Sequence, residues 1–213
     1  MITSIVLSMG FVGTQFLPDQ FRMFAISGLG LLTIILFSWS LYEGLGKDMT
    51  LLSLVLPGLF TLGVGFFWFL LPSTIFTRLP VVIFYGLGIY ALCLTSNIYT
   101  VAAIRTIALL RAARGVGFVL TLITSFLIFD AILSLRVPVY IVVPTISVLS
   151  FPLFLQGLWA VPLEKEFSTN LLIMSTTSAL IVGEVATSLH FWPVSVVVGS
   201  LFLTVAVYIL LGL

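Results

Sequence analysis

The sequence predicts an all-α protein, a polytopic bundle of about eight transmembrane helices. Only 7% of its 213 residues are charged, whereas an ordinary soluble domain has about 25% charged residues. Hydrophobic residues make up 61% of the chain, and its mean hydropathy is +1.34. Apolar runs close to the ~20 residues that a membrane helix needs recur along the whole sequence. Because lipid offers the backbone no hydrogen-bond partner, these runs are expected to be helical.

The apolar spans are separated by connections that contain charged residues or proline. They cover residues 2–17, 24–42, 51–71, 80–99, 116–135, 139–161, 171–189 and 194–213. The first span is short and rich in polar side chains, so the number falls to seven if it does not insert. The longest polar connection has only about ten residues, which predicts one integral-membrane domain over 1–213 and no soluble domain. The last span ends without a polar flank, as expected of a chain that is part of a longer protein.

Basic residues in the short connections predict the orientation. One set of alternate connections holds five Lys/Arg and the other set holds three. Cytoplasmic loops carry the excess of such residues, so the connection with Arg105, Arg111 and Arg114 is predicted to be cytoplasmic. These arginines act either as a topology signal or as contacts for anionic lipid headgroups.

Two acids lie within predicted spans, Asp130 in the fifth and Glu184 in the seventh. An ionised side chain at this depth is costly, so intramembrane acids are expected to face protein or water. Arg136 and His190 each follow one of the acids by six residues. We therefore consider a small polar site made of all four side chains, serving a proton or cation pathway. The alternative is a structural acid that is neutral or paired with one arginine and fixes the helix register.

Small residues recur every four positions along the seventh span, at Ser175, Ala179, Gly183 and Thr187. Such a stripe lets another helix approach closely. The seventh span is therefore expected to lie centrally in the bundle rather than at its lipid-facing edge.

Prolines inside predicted spans are expected to kink the helices, because proline removes a backbone donor and clashes with the preceding turn. Pro57 lies in the third span, and Pro144 and Pro152 lie in the sixth. Each is either a static kink or, as in many transporters, part of a broken helix at a substrate site.

Composition also argues against several functions. A net charge of +1 provides no electrostatic field for nucleic acid. With one histidine and one cysteine, the chain cannot form a multi-histidine or cysteine-cluster metal site, so we expect no metal and no cofactor. The sequence contains no H-E-x-x-H, G-x-S-x-G or P-loop motif.

The stretch NIYTVAAIRTI over 97–107, with the following Arg111 and Arg114, resembles uncharacterised multi-pass membrane proteins of bacterial genomes. The resemblance implies a prokaryotic plasma membrane and carries no activity.

Three functions fit these observations. The favoured one is a non-enzymatic membrane component or complex subunit, because polar residues are sparse and no soluble domain is expected. The second is a small-solute or ion carrier with Glu184 and Asp130 in its pathway. The third is a lipid-handling membrane enzyme that uses His190 or one of the acids. The expected partners are membrane lipids and other membrane subunits.

Overall fold

The computed structural model describes residues 2–14, 17–42, 49–72, 75–102, 108–163 and 168–212. Helices dominate these residues, and no strand occurs among them. The α-helices are α1 (Ile2–Gly13), α2 (Asp19–Ser40), α3 (Val55–Trp68), α4 (Ile75–Ala102), α5 (Leu110–Ser134), α6 (Val139–Trp159), α7 (Thr169–His190) and α8 (Val196–Gly212). A 3-10 helix over Met49–Leu54 leads into α3. The predicted all-α fold class is confirmed.

The helices differ in whether they are long enough to cross a bilayer. Six described helical segments, of 18 to 27 residues, are long and apolar enough by length and composition. By contrast, α1 has 12 residues and α8 has 17. At a rise of about 1.5 Å per residue, α1 is much shorter than the ~30 Å hydrocarbon layer, and α8 is slightly shorter. The predicted count of eight spans is therefore approximate.

The prolines occupy positions that differ in their consequences. Pro18 and Pro138 stand directly before α2 and α6, where their missing N–H is not needed. Pro57 lies in the first turn of α3, where proline is tolerated. The predicted kink at Pro57 in the third span is therefore absent from α3. Pro144 and Pro152 lie inside α6, where each removes an intrahelical hydrogen bond.

The centre of the bundle is α5, which packs against α3, α4, α6 and α8. Its core-facing hydroxyls are satisfied within the helix, because Thr121, Thr124 and Ser125 each donate to the carbonyl four residues earlier. A helix with several polar side chains can therefore sit in an apolar core without unpaired donors on those residues. Around it, α2 packs on α3, α1 packs on α4 and α2, and α7 packs on α6 and α8.

Buried hydroxyl groups also link three neighbouring helices. Thr61 of α3 lies 3.1 Å from the hydroxyl of Thr33 in α2 and 3.2 Å from the hydroxyl of Tyr85 in α4. The ring of Tyr85 stacks on Phe11 of α1, with ring centroids 4.5 Å apart. The hydroxyl contacts join α2, α3 and α4, and the ring contact adds α1.

Two ends of the bundle serve as landmarks. At the Arg114 end, the start of α5 lies beside the end of α6, where Arg114 Nε donates to the carbonyl of Ala160 over 3.2 Å. At the Arg136 end, the end of α5 meets the start of α6, the end of α7 and the start of α8 around a shared cavity.

Candidate functional site

Arg136 and His190 line a cavity of about 420 Å³ at the Arg136 end. Trp192 and Ser195 supply further polar groups from the connection between α7 and α8. The rest of the lining is apolar, with Leu133, Val137, Val142, Leu189, Val194, Val196 and Gly199. Two of the four predicted site residues therefore share one cavity.

Arg136 reaches this cavity from an unusual backbone position. It follows Leu135, the last cap residue of α5, and has a left-handed φ of 50°. Its N–H donates to the carbonyl of Leu133 over 3.3 Å, which closes the last turn of α5. Glycine usually occupies such a position because a side chain there costs about 1–2 kcal/mol. The chain therefore carries an arginine where the backbone alone favours glycine.

Asp130 lies deeper in the bundle, six residues before Arg136 on α5. Its side chain is 5% exposed, and its Oδ1 accepts a hydrogen bond of 3.1 Å from the hydroxyl of Ser200 in α8. The same hydroxyl lies 3.0 Å from the carbonyl of Val197, to which it also donates. Asp130 thus joins the central helix to α8, and it is not part of the cavity lining.

Glu184 is exposed on the outer face of α7, so the four predicted residues do not gather into one site. The reason is the packing of its neighbour. Gly183 faces α6 so closely that an added Cβ would overlap Ser147 Oγ, and the next residue points about 100° away. Within the described part of the chain, no ion pair joins any two of Asp130, Glu184, Arg136 and His190.

The predicted small-residue stripe faces α6. Ser175, Ala179 and Gly183 are buried, and Thr187 is half-buried. The expectation that this helix is central was wrong. The main neighbours of α7 are α6 and α8, and the opposite face of α7 is exposed. A small-residue stripe indicates one close neighbour, and it does not show whether the opposite face is covered.

The three predicted arginines have different surroundings. Arg105 lies outside the described residues, and Arg111 is exposed. Arg114 is half-buried and lines a second cavity of about 160 Å³ with Tyr99, Thr121 and Gln156.

Two other polar residues of this second cavity, Tyr99 and Gln156, were not predicted as site residues from the sequence. Tyr99 OH donates to the carbonyl of Ala113 over 3.2 Å, and Thr121 Oγ1 donates to Gln156 Oε1 over 3.5 Å. Gln156 is 2% exposed and carries the only amide side chain of α6. The sequence signal that could have identified Gln156 was an amide residue within an otherwise apolar span.

The chain matches the family model described as "Protein of unknown function (DUF5656)" over residues 7–213. The chain belongs to the DUF5656 family. No curated protein and no solved structure matches it. The family is uncharacterised, which agrees with that part of the predicted resemblance, whereas a bacterial origin stays a prediction for this DUF5656 member.

Proposed function

We propose that this DUF5656 member is a non-enzymatic, multi-pass component of a prokaryotic plasma membrane that associates with a second copy of itself through α7. The observation that carries the proposal is the exposed carboxyl group of Glu184 on an outer face of the bundle. The orientation with the Arg114 end in the cytoplasm belongs to the same proposal.

Glu184 lies within a regular stripe of exposed residues, which we call the α7 face. Its members are Asn170, Met174, Thr177, Ile181, Glu184 and Ser188, all exposed. They alternate between spacings of four and three residues, the pattern with which one helix packs its side chains into another. The α7 face lies away from the small residues that contact α6.

Burial against another helix would relieve the cost of leaving Glu184 in lipid. Glu184 precedes the end of α7 by six residues, or about 9 Å. An ionised side chain deep in a bilayer costs about 2.5–3.5 kcal/mol on insertion scales. Hydrogen bonds between membrane helices contribute about 0.6–2 kcal/mol each, so a polar partner offsets part of that cost.

A second copy is the occupant that fits the α7 face best. Two parallel α7 helices about a twofold axis bring each residue close to its counterpart. The side chains of Asn170, Thr177 and Ser188 each donate and accept, so each can bond to its own copy. Two Glu184 carboxyl groups bond to one another when they share a proton. The face is therefore complementary to itself.

The other two functions have less support from the same side chains. A carrier pathway through both acids needs Glu184 inside the bundle, whereas it is exposed outside. A lipid-handling enzyme needs His190 beside an acid, whereas the charged residue that shares its cavity is Arg136.

Cysteine cross-linking in lipid vesicles tests the association. The starting variant is Cys93→Ser, in which a hydroxyl replaces the thiol near Thr3, whose Oγ1 is 3.7 Å from Cys93 Sγ. Single cysteines are then placed by Met174→Cys and Ile181→Cys on the α7 face. Leu87→Cys on α4 is the matched control, because Leu87 is also exposed. We expect oxidation to give covalent dimers for the α7 positions and not for the control.

Variants of Glu184 separate specific pairing from crowding. Glu184→Leu is expected to weaken the dimer about tenfold, because the polar contact is lost and the monomer suits lipid better. Glu184→Gln keeps a donor and an acceptor and is expected to retain the dimer. Equal cross-linking at Leu87→Cys, or a dimer that is unchanged by Glu184→Leu, contradicts the proposal.

A further inference from the structure

We infer that the cavity between Arg136 and His190 binds the phosphodiester headgroup of an anionic membrane phospholipid. This inference concerns the Arg136 end and does not depend on association through the α7 face.

The first observation is the charge of the cavity wall. Arg136 follows the cap of α5 and His190 is the last residue of α7, and no acid is among the lining residues. The Arg136 side chain has no protein partner within the described part of the chain. A guanidinium offers a planar set of donors that matches two phosphate oxygens at once. The acid on the same helix, Asp130, is occupied by Ser200.

The second observation is the apolar character of the remaining wall. Side chains of Leu133, Leu189 and four valines line the cavity. A free phosphate ion gains nothing from such groups, whereas the glycerol backbone and first methylenes of a lipid do. Trp192 is 64% exposed beside the cavity, and tryptophan favours the depth of lipid headgroups. The volume of about 420 Å³ lies within the range of about 300–1,000 Å³ typical of small-molecule sites.

The third observation is the strained backbone of Arg136. Its φ of 50° is a conformation for which glycine is the ordinary choice. Strain of this kind tends to occur at ligand sites, where the side chain serves a purpose that offsets its cost. An arginine that presents its side chain to a lipid phosphate gives such a purpose.

Lipid titration of the purified protein in detergent micelles tests the inference. The probes are phosphatidylglycerol, phosphatidylcholine and inorganic phosphate, each followed by native mass spectrometry. Both lipids carry the phosphodiester, but choline adds a positive charge that Arg136 repels, so we expect phosphatidylglycerol to bind about tenfold more tightly than phosphatidylcholine. Inorganic phosphate at the same concentration is expected neither to bind measurably nor to displace the lipid.

Substitutions at Arg136 identify the site. Arg136→Gly removes the charge and suits the left-handed backbone, so the variant is expected to fold while its preference for phosphatidylglycerol is lost. Arg136→Lys keeps the charge and is expected to retain most of the preference. Arg111→Gln is the matched control, because Arg111 is also exposed but lies at the start of α5, at the opposite end of that helix from Arg136. It is expected to change the affinity less than about twofold.

Three outcomes would overturn the inference. They are equal affinity for the two lipids, the same effect from Arg136→Gly as from Arg111→Gln, and binding of inorganic phosphate as tight as that of phosphatidylglycerol. Failure of the α7 dimer leaves these measurements unaffected, because the Glu184 variants do not alter the cavity lining.

Discussion

Two buried serines provide a matched pair for testing how Asp130 is held. Ser200 and Ser150 are both fully buried. The Ser200 hydroxyl donates to Asp130 Oδ1, whereas the Ser150 hydroxyl has no hydrogen-bond partner among the described residues. Replacing each serine by alanine removes the same atom from a comparable environment, so the difference between the variants measures what the Ser200 hydroxyl gains from Asp130 and from the Val197 carbonyl.

The two substitutions are expected to change the free energy of unfolding differently: Ser200→Ala lowers it, whereas Ser150→Ala does not. Ser200→Ala leaves a buried carboxyl oxygen without its donor, which costs about 1–3 kcal/mol of unfolding free energy. Ser150→Ala removes a hydroxyl that is already unpaired and is expected to be neutral or stabilising by up to about 1 kcal/mol. The two variants are therefore expected to differ by at least about 1 kcal/mol.

The measurement is reversible unfolding in mixed detergent micelles, followed by circular dichroism. Asp130→Asn supplies an amide donor toward Ser200 and is expected to retain stability. In Asp130→Leu with Ser200→Ala both polar partners are absent, so the double variant is expected to lose less than the sum of the single losses. Equal stability of Ser200→Ala and Ser150→Ala would refute the claim that the bond to Asp130 holds α8 on α5.

Two further substitutions are checked by the same unfolding measurement. Gly65→Ala is expected to cost about 1–2 kcal/mol, because a Cβ there overlaps the rigid γ carbons of Ile26, whereas Gly28→Ala meets open space and is expected not to destabilise. No loss with Gly65→Ala would contradict close packing of α2 on α3. Thr61→Val removes the contacts to Thr33 and Tyr85 and is expected to cost about 1–2 kcal/mol, with the exposed Thr176→Val as a neutral control. Equal effects of the two valine variants would argue against the hydroxyl network.

The fold class follows from hydropathy, but hydropathy does not show which helix lies at the centre of the bundle and which at its edge. A small-residue stripe predicted a central α7, and the structure places α5 at the centre instead. On α5, Gly117, Thr121 and Ser125 form a weaker stripe, yet Leu120 and Asp130 on other faces are buried as well. In a membrane both lipid-facing and protein-facing surfaces are apolar, so composition does not distinguish one covered face from several.

The sequence does not show which side chains from distant segments form hydrogen bonds with one another. Asp130 was singled out because an acid in an apolar span needs a partner, and that partner is Ser200, 70 residues away. Nothing in the spacing of Ser200 marks it among the many hydroxyls of the chain. By contrast, Arg136 and His190 each follow a long apolar span, and the structure places both in the lining of one cavity.

Depth-dependent accessibility along α4 tests most directly the claim that the chain is embedded in a bilayer. Nitroxide labels at Phe76, Leu79, Ile83, Leu87 and Leu94, all exposed, report on one helix from its start toward its end. In lipid vesicles, we expect collisions with oxygen to increase toward Leu87 and collisions with a water-soluble nickel reagent to decrease. High access of the nickel reagent at every position, without an oxygen maximum, would contradict a membrane-spanning α4 and with it a bundle embedded in the bilayer.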